Sequence, residues 1–308
     1  MNAQASTTRS LTALVVYIAA VLVAGALLAY PVMLALIAAG QQAPEFHSVM
    51  GRCMKVLALL GLFPLMRFLG LRGSEPWGFA GPKARFFKEL AWGYGFGALI
   101  LLVLVLTLLA LGVRVPNSRV VVSVELLVHS VVVGIVAGLI VATLEEVWFR
   151  GALHTVFSRA SGAVTAVVGT ALLYAWVHFL KADAAMTPDT VRWSSGLEML
   201  GPVFASLTDV ENWDSILALF VAGLFLGVLR ASSVSIACCI GVHAGWVLVI
   251  KVSKDLTRLD HRSELAWMTG NYDGVIGYLA AIWLASILIA YTYWYRRRER
   301  QRRTDASG

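Results

Sequence analysis

An all-α, polytopic membrane fold of about eight transmembrane helices is what this sequence predicts. Three observations carry that prediction. Of 308 residues, 59% are hydrophobic and only 14% charged, far outside ordinary globular usage. Apolar runs long enough to cross a bilayer recur along the whole chain. Most charges fall in the connections between those runs. The net charge of +7 does not point to nucleic acid, because much of it sits in one tail, RRRERQRR, from Arg296 to Arg303. Cys53, Cys238 and Cys239 lie in or beside apolar runs and form neither a disulfide framework nor a CxxC metal motif.

Taken in order, the expected spans are 11–39, 53–71, 90–113, 126–158, 163–181, 214–229, 234–251 and 274–295. The first is too long for a signal-peptide core and reads as a retained span. The sixth and seventh are short and are joined by a tight polar link at Arg230–Ser233, so they read as a hairpin. Between the second and third, EPWGFAGPKARFFKEL interleaves Trp77, Phe79, Phe86 and Phe87 with Lys83, Arg85 and Lys88. That pattern suits a basic connector lying in the headgroup region. The organisation divides into N-terminal spans at 1–124, a helical core at 125–251, and a last span with its basic tail at 252–308.

Charge sets the expected orientation. A cytoplasmic basic tail and an even number of passes put both termini inside. The connector after the second span is then cytoplasmic, and it carries Arg67, Arg72, Lys83, Arg85 and Lys88 against Glu75 and Glu89. The connection after the fifth span is then external. It carries Asp183, Asp189, Glu198, Asp209, Glu211 and Asp214 against Lys181 and Arg192. The Ala-, Val-, Leu- and Arg-rich composition associates the chain with a bacterial inner membrane.

The polar residues inside apolar runs are few: Glu125 and His129, the pair Glu145–Glu146, His178 and His243. Glu125 and His129 are spaced i,i+4 at the outer end of their helix and read as an interface pair. The others share a depth. Residues 160–162, ASG, make a turn, with Glu145 about 16 residues before its centre and His178 about 16 after it. At a helical rise of about 1.5 Å per residue, both lie about 24 Å from the tip, and His243 lies about 17 Å from the Arg230–Ser233 link. One carboxylate pair and two imidazoles can therefore meet in one intramembrane cavity. Glu146 precedes Arg150 by four residues, the favourable order for an intrahelical ion pair. Glu145, rotated by about 100°, faces something else. Ionisable groups at such depth are expensive and mark functional sites.

At these residues the chain resembles the CPBP family of intramembrane proteases, which includes the type II CAAX prenyl endopeptidases. The resemblance rests on EEVWFR (145–150), YAWVH (174–178) and GVHAGW (241–246), in that order. It implies eight passes and hydrolysis of a peptide bond in a membrane-anchored protein or peptide. Within it, Glu145 is the base that activates water, Glu146 orients it with Arg150 as partner, and His178 and His243 complete the polar site. Family members often carry Asn four residues after the last His, where this chain has Val247. The oxyanion role given to that Asn then falls to Trp246 or another donor. Cofactor need stays open between none and a divalent metal such as zinc. Glu145, His178 and His243 would be the zinc ligands, two His and one Glu being a known catalytic set with an open position. Two other functions fit a mid-membrane cluster of Glu, His and Arg: a proton-coupled transporter, or a non-catalytic scaffold or immunity-type protein of the same shape. The expected partners are the substrate and the lipid bilayer.

Overall fold

The computed structural model describes residues 3–42, 44–180, 186, 190–270 and 272–307. The acidic-loop residues Lys181, Asp183 and Asp189 lie outside the described residues. Nine α-helices follow in the described chain: α1 (Ala3–Ala38), α2 (Phe46–Phe68), α3 (Lys83–Ala110), α4 (Val124–Glu146), α5 (His154–His178), α6 (Ser195–Ala205), α7 (Trp213–Ala231), α8 (Ala237–Leu256) and α9 (Tyr278–Ser307). A π-helical turn, Val147–Leu153, joins α4 to α5 without a break.

Among the described residues, seven helical stretches are long and apolar enough to span a bilayer, and this is an integral membrane protein. The longest, Val124–His178, has 55 residues, nearly twice what one crossing needs. Gly162 breaks it with φ 86° and ψ 171°, a left-handed conformation that costs glycine little. The chain reverses there. A straight helix would hold Glu145 and His178 about 50 Å apart, yet their side chains come within 3.8 Å. The stretch is thus two passes, and each of the eight expected spans falls on a helix. The expected edges at the starts of α1, α2 and α3 fall several residues late, because these helices continue as amphipathic or polar turns that hydropathy does not register. The short helix α6 was not expected. It packs Met199 and Val203 against Ala26 and Met33 of α1, with Gly196 seated on the Ala26 carbonyl.

Glycine places the central helices. In α3, Gly93 and Gly97 lie against the Cys238 and Val242 carbonyls of α8. In return, Gly241 and Gly245 of α8 lie against the Leu90 and Tyr94 carbonyls of α3. A Cβ at any of the four would collide with backbone. On the other flank of α8, Gly138 of α4 lies against the Ala244 carbonyl. All are GxxxG pairs, counting Gly134 with Gly138. Such spacing lets helix backbones approach closely in lipid, where packing rather than water exclusion drives association. Helix α8, which carries His243, is therefore held between α3 and α4.

The connections are also fixed. The 75–90 connector is more than a lipid-lying strip. Its Gly78 carbonyl accepts from Ile236 N at 3.0 Å, and Gly151 of the π turn lies against the Trp77 carbonyl. At the opposite end, β1 (Arg114–Pro116) pairs antiparallel with β2 (Thr257–Leu259), with Val115 opposite Arg258. Arg114, only 3% exposed, donates to Thr257 Oγ1 at 2.8 Å and to the Gly274 carbonyl at 2.6 Å. Burial lowers its pKa and the nearby Asp273 carboxylate counters that. The expected Glu125–His129 pair does not form: both side chains are exposed, and no ion pair joins them among the described residues. At an exposed helix end, ordering two side chains costs more than a weak surface contact returns.

Candidate active site

Three helices bring the polar motifs together. Glu145 and Glu146 close α4, His178 closes α5 on the way back from Gly162, and His243 sits mid-way along α8. The π turn begins one residue after Glu146. Such turns break the regular i,i+4 ladder and recur at functional sites. Here Arg150 is carried inward until none of its surface is exposed.

Glu146 and Arg150 pair as the spacing predicts, Nη1 donating to Oε1 at 3.1 Å with both side chains fully buried. Two further contacts hold the guanidinium. Nη2 donates to the Gly223 carbonyl of α7 at 3.1 Å, and the guanidinium lies 4.6 Å from the centre of the Tyr174 ring. Packing an arginine on an aromatic face in this way is favourable where water is excluded. Tyr174 is the first residue of the YAWVH motif, so that motif supplies both a support for Arg150 and an imidazole.

Glu145 faces the other way, as its rotation requires. Its Oε2 lies 3.8 Å from His178 Nε2 and 3.9 Å from His243 Nε2. Its side chain keeps 29% of its surface, against none for Glu146. Proton positions follow from the partners. His178 Nδ1 lies 2.7 Å from the Tyr174 carbonyl oxygen, which can only accept, so Nδ1 carries the hydrogen. His243 Nδ1 lies 2.9 Å from Glu146 Oε1, an oxygen already paired with Arg150, and it donates likewise. Sequence spacing did not reveal this bond, since it depends on how α4 and α8 are rotated against each other. When neutral, both rings therefore present their Nε2 lone pairs toward Glu145.

These groups line a cavity of about 590 Å³. Trp246, Val247 and Tyr272 line it too. The Trp246 indole nitrogen is buried and has no hydrogen-bond partner among the described residues. Tyr272, in the loop before α9, has its phenol pushed up to about 12, chiefly by burial. Among the described residues, no group of three His, Cys, Asp or Glu side chains is disposed to hold a metal ion.

Residues 127–249 match the model of the family described as Type II CAAX prenyl endopeptidase Rce1-like. The match brackets all three motifs, and the resemblance to CPBP-family intramembrane proteases is borne out. No curated protein and no solved structure matches the chain.

Proposed function

On the premise of a CPBP-type segment at 127–249, we propose that the chain is an intramembrane endopeptidase hydrolysing a peptide bond in a membrane-anchored protein or peptide. The single observation that carries this reading is the set of three acceptors, Glu145 Oε2 and two imidazole Nε2 atoms, turned toward one another inside a cavity at membrane depth. Three acceptors around one point call for a hydrogen donor, and a water molecule supplies two hydrogens while leaving a lone pair free to attack. Glu145 takes one proton as general base. A histidine accepts the other hydrogen bond and orients the water. The peptide carbonyl then becomes an oxyanion, and Trp246, which lines the cavity and whose indole N–H has no partner among the described residues, is its proposed donor. The protonated Glu145 returns that proton to the leaving amine as the C–N bond breaks, while His243 keeps its orientation through its bond to Glu146. Glu146, Arg150, Tyr174 and the Gly223 carbonyl hold this arrangement without touching substrate.

No step here passes through a metal. In this reading the enzyme sits in a bacterial inner membrane with both termini cytoplasmic. A transporter would need a path through the cavity to both sides, and a scaffold would have no use for an oriented base.

The test is proteolysis by purified protein of a reporter carrying a membrane anchor. Glu145→Gln should reduce turnover by about a hundredfold or more while leaving the elution profile in detergent unchanged. Chelator treatment should leave wild-type activity intact. A Glu145→Gln protein as active as wild type would remove the base from the scheme, and chelator-sensitive activity restored by zinc would move Glu145, His178 and His243 into a ligand role.

A further inference from the structure

A second polar cavity, of about 300 Å³, lies at the end of the molecule away from the two imidazoles. It forms where three connections meet: the Gly162 turn, the link after α7, and the turn at Glu75–Trp77. His154, Thr155, Ser158 and Arg159 line it from one side of the helix approaching Gly162. Their spacing, i, i+1, i+4 and i+5, puts all four on one face. Arg230 lines it from the end of α7, and Glu75 from the connector.

The donors are in excess. Arg230 uses Nε on the Arg150 carbonyl at 3.0 Å and Nη1 on the Ser233 carbonyl at 3.1 Å, which leaves three of its five N–H groups. Among the described residues, the side chains of Thr155, Ser158 and Arg159 make no hydrogen bond. His154 is 6% exposed, and its Nε2 is buried with no partner among the described residues. Two guanidinium groups therefore face one carboxylate, Glu75, with two hydroxyls and an imidazole between them. None of these residues serves the hydrolytic scheme.

We propose that this cavity binds a phosphoryl group. Guanidinium forks match phosphate oxygens in pairs, and hydroxyls complete the donor set for the remaining oxygens. The setting favours a phospholipid headgroup as the source. The cavity sits between the ends of membrane helices, where basic pockets meet anionic headgroups, and the exposed aromatic side chains of Phe79 and Phe87 lie on the same connector as Glu75. Arg230 also links the cavity to the catalytic motif, because the carbonyl it holds belongs to Arg150.

Binding tests this without any assumption about proteolysis. The probes are short-chain phosphatidylglycerol and inorganic phosphate, each titrated against the purified full chain in a zwitterionic detergent and followed by microscale thermophoresis. We expect saturable binding of phosphatidylglycerol. Arg159→Gln should weaken it about tenfold, the loss of one charge-assisted pair, and Glu75→Gln should strengthen it by removing the competing carboxylate. Both side chains are exposed, so neither change threatens the fold. Inorganic phosphate that displaces the lipid at equal concentration supports the phosphoryl site and assigns it to free phosphate. Absence of saturable binding by either probe, or binding indifferent to both substitutions, overturns the proposal.

Discussion

Glu146 carries two hydrogen bonds on one oxygen, from Arg150 at 3.1 Å and from His243 at 2.9 Å. It is thus the hinge between an ion pair the sequence displayed and a contact it did not. The i,i+4 spacing made the first legible. The second required knowing which face α8 turns to α4, and no spacing within one helix encodes that. Arg150→Ala leaves a fully buried carboxylate without its cation, which should cost about 3–5 kcal/mol. Expression and thermal stability in detergent should fall together. The double change Glu146→Gln with Arg150→Gln removes both charges and should recover most of the expression but none of the activity, since His243 loses its orienting carboxylate. Equal yields from all these proteins would mean that Arg150 is solvated and idle. Val247 and Trp246 offer a second residue-scale test. Helical spacing puts position 247 one turn beyond His243, and both 246 and 247 line the cavity. With an indole N–H that has no partner among the described residues, Trp246→Phe should lower turnover by about tenfold to a hundredfold. Val247→Asn should change it little. A gain on Val247→Asn with an innocuous Trp246→Phe would transfer the oxyanion role to position 247.

At the scale of elements, the eight passes were legible because a bilayer forces length and apolarity on every span. The depth match of Glu145 and His178 was legible for the same reason, as it needs only a helical rise and a turn. The π turn was not, because no residue type in VWFRGAL distinguishes it from continuous helix. Helix α6 escaped notice because eleven residues with an internal Pro202 give no spanning signal. The glycine seams are a different case: Gly93–Gly97, Gly134–Gly138 and Gly241–Gly245 stand in the sequence in plain GxxxG spacing, and they decide which helices flank His243. What the spacing withholds is the choice of partner. Gly97→Val should therefore break the α3–α8 contact, since even a Cβ there meets the Val242 backbone, and overpacking of this kind costs about 1–3 kcal/mol or more. Gly95→Val, two residues away and facing open space, is the control. Melting temperatures in detergent should drop for the first and stay near wild type for the second. Similar melting for both would show that α3 and α8 can separate without harm.

Across the whole molecule, the two cavities lie at opposite ends of the helices, and this gives the orientation a direct test. The cavity around Glu145 is lined at one end by Ser48, Arg52 and Lys55 of α2 and by Lys254 of α8. That end also holds the C-terminal end of α5. The Gly162 turn, the link at Ser233 and the 75–90 connector cluster at the other end, as does the basic continuation of α9, which runs away from β2. The charge reading makes the second end cytoplasmic, so substrate would reach Glu145 from the external side or from the lipid. The measurement needs a chain with Cys53, Cys238 and Cys239 replaced, carrying either Lys254→Cys or Ser158→Cys. A membrane-impermeant thiol reagent added to spheroplasts should label the first and spare the second, and labelling at 254 should slow cleavage by crowding the cavity. Labelling of 158 alone would invert the molecule and put the catalytic opening on the cytoplasmic side. The arrangement of the site would survive that inversion unchanged, because its distances are set by the Gly162 reversal and the glycine seams. The population of substrates would not, since only segments presented on the open side can reach the base.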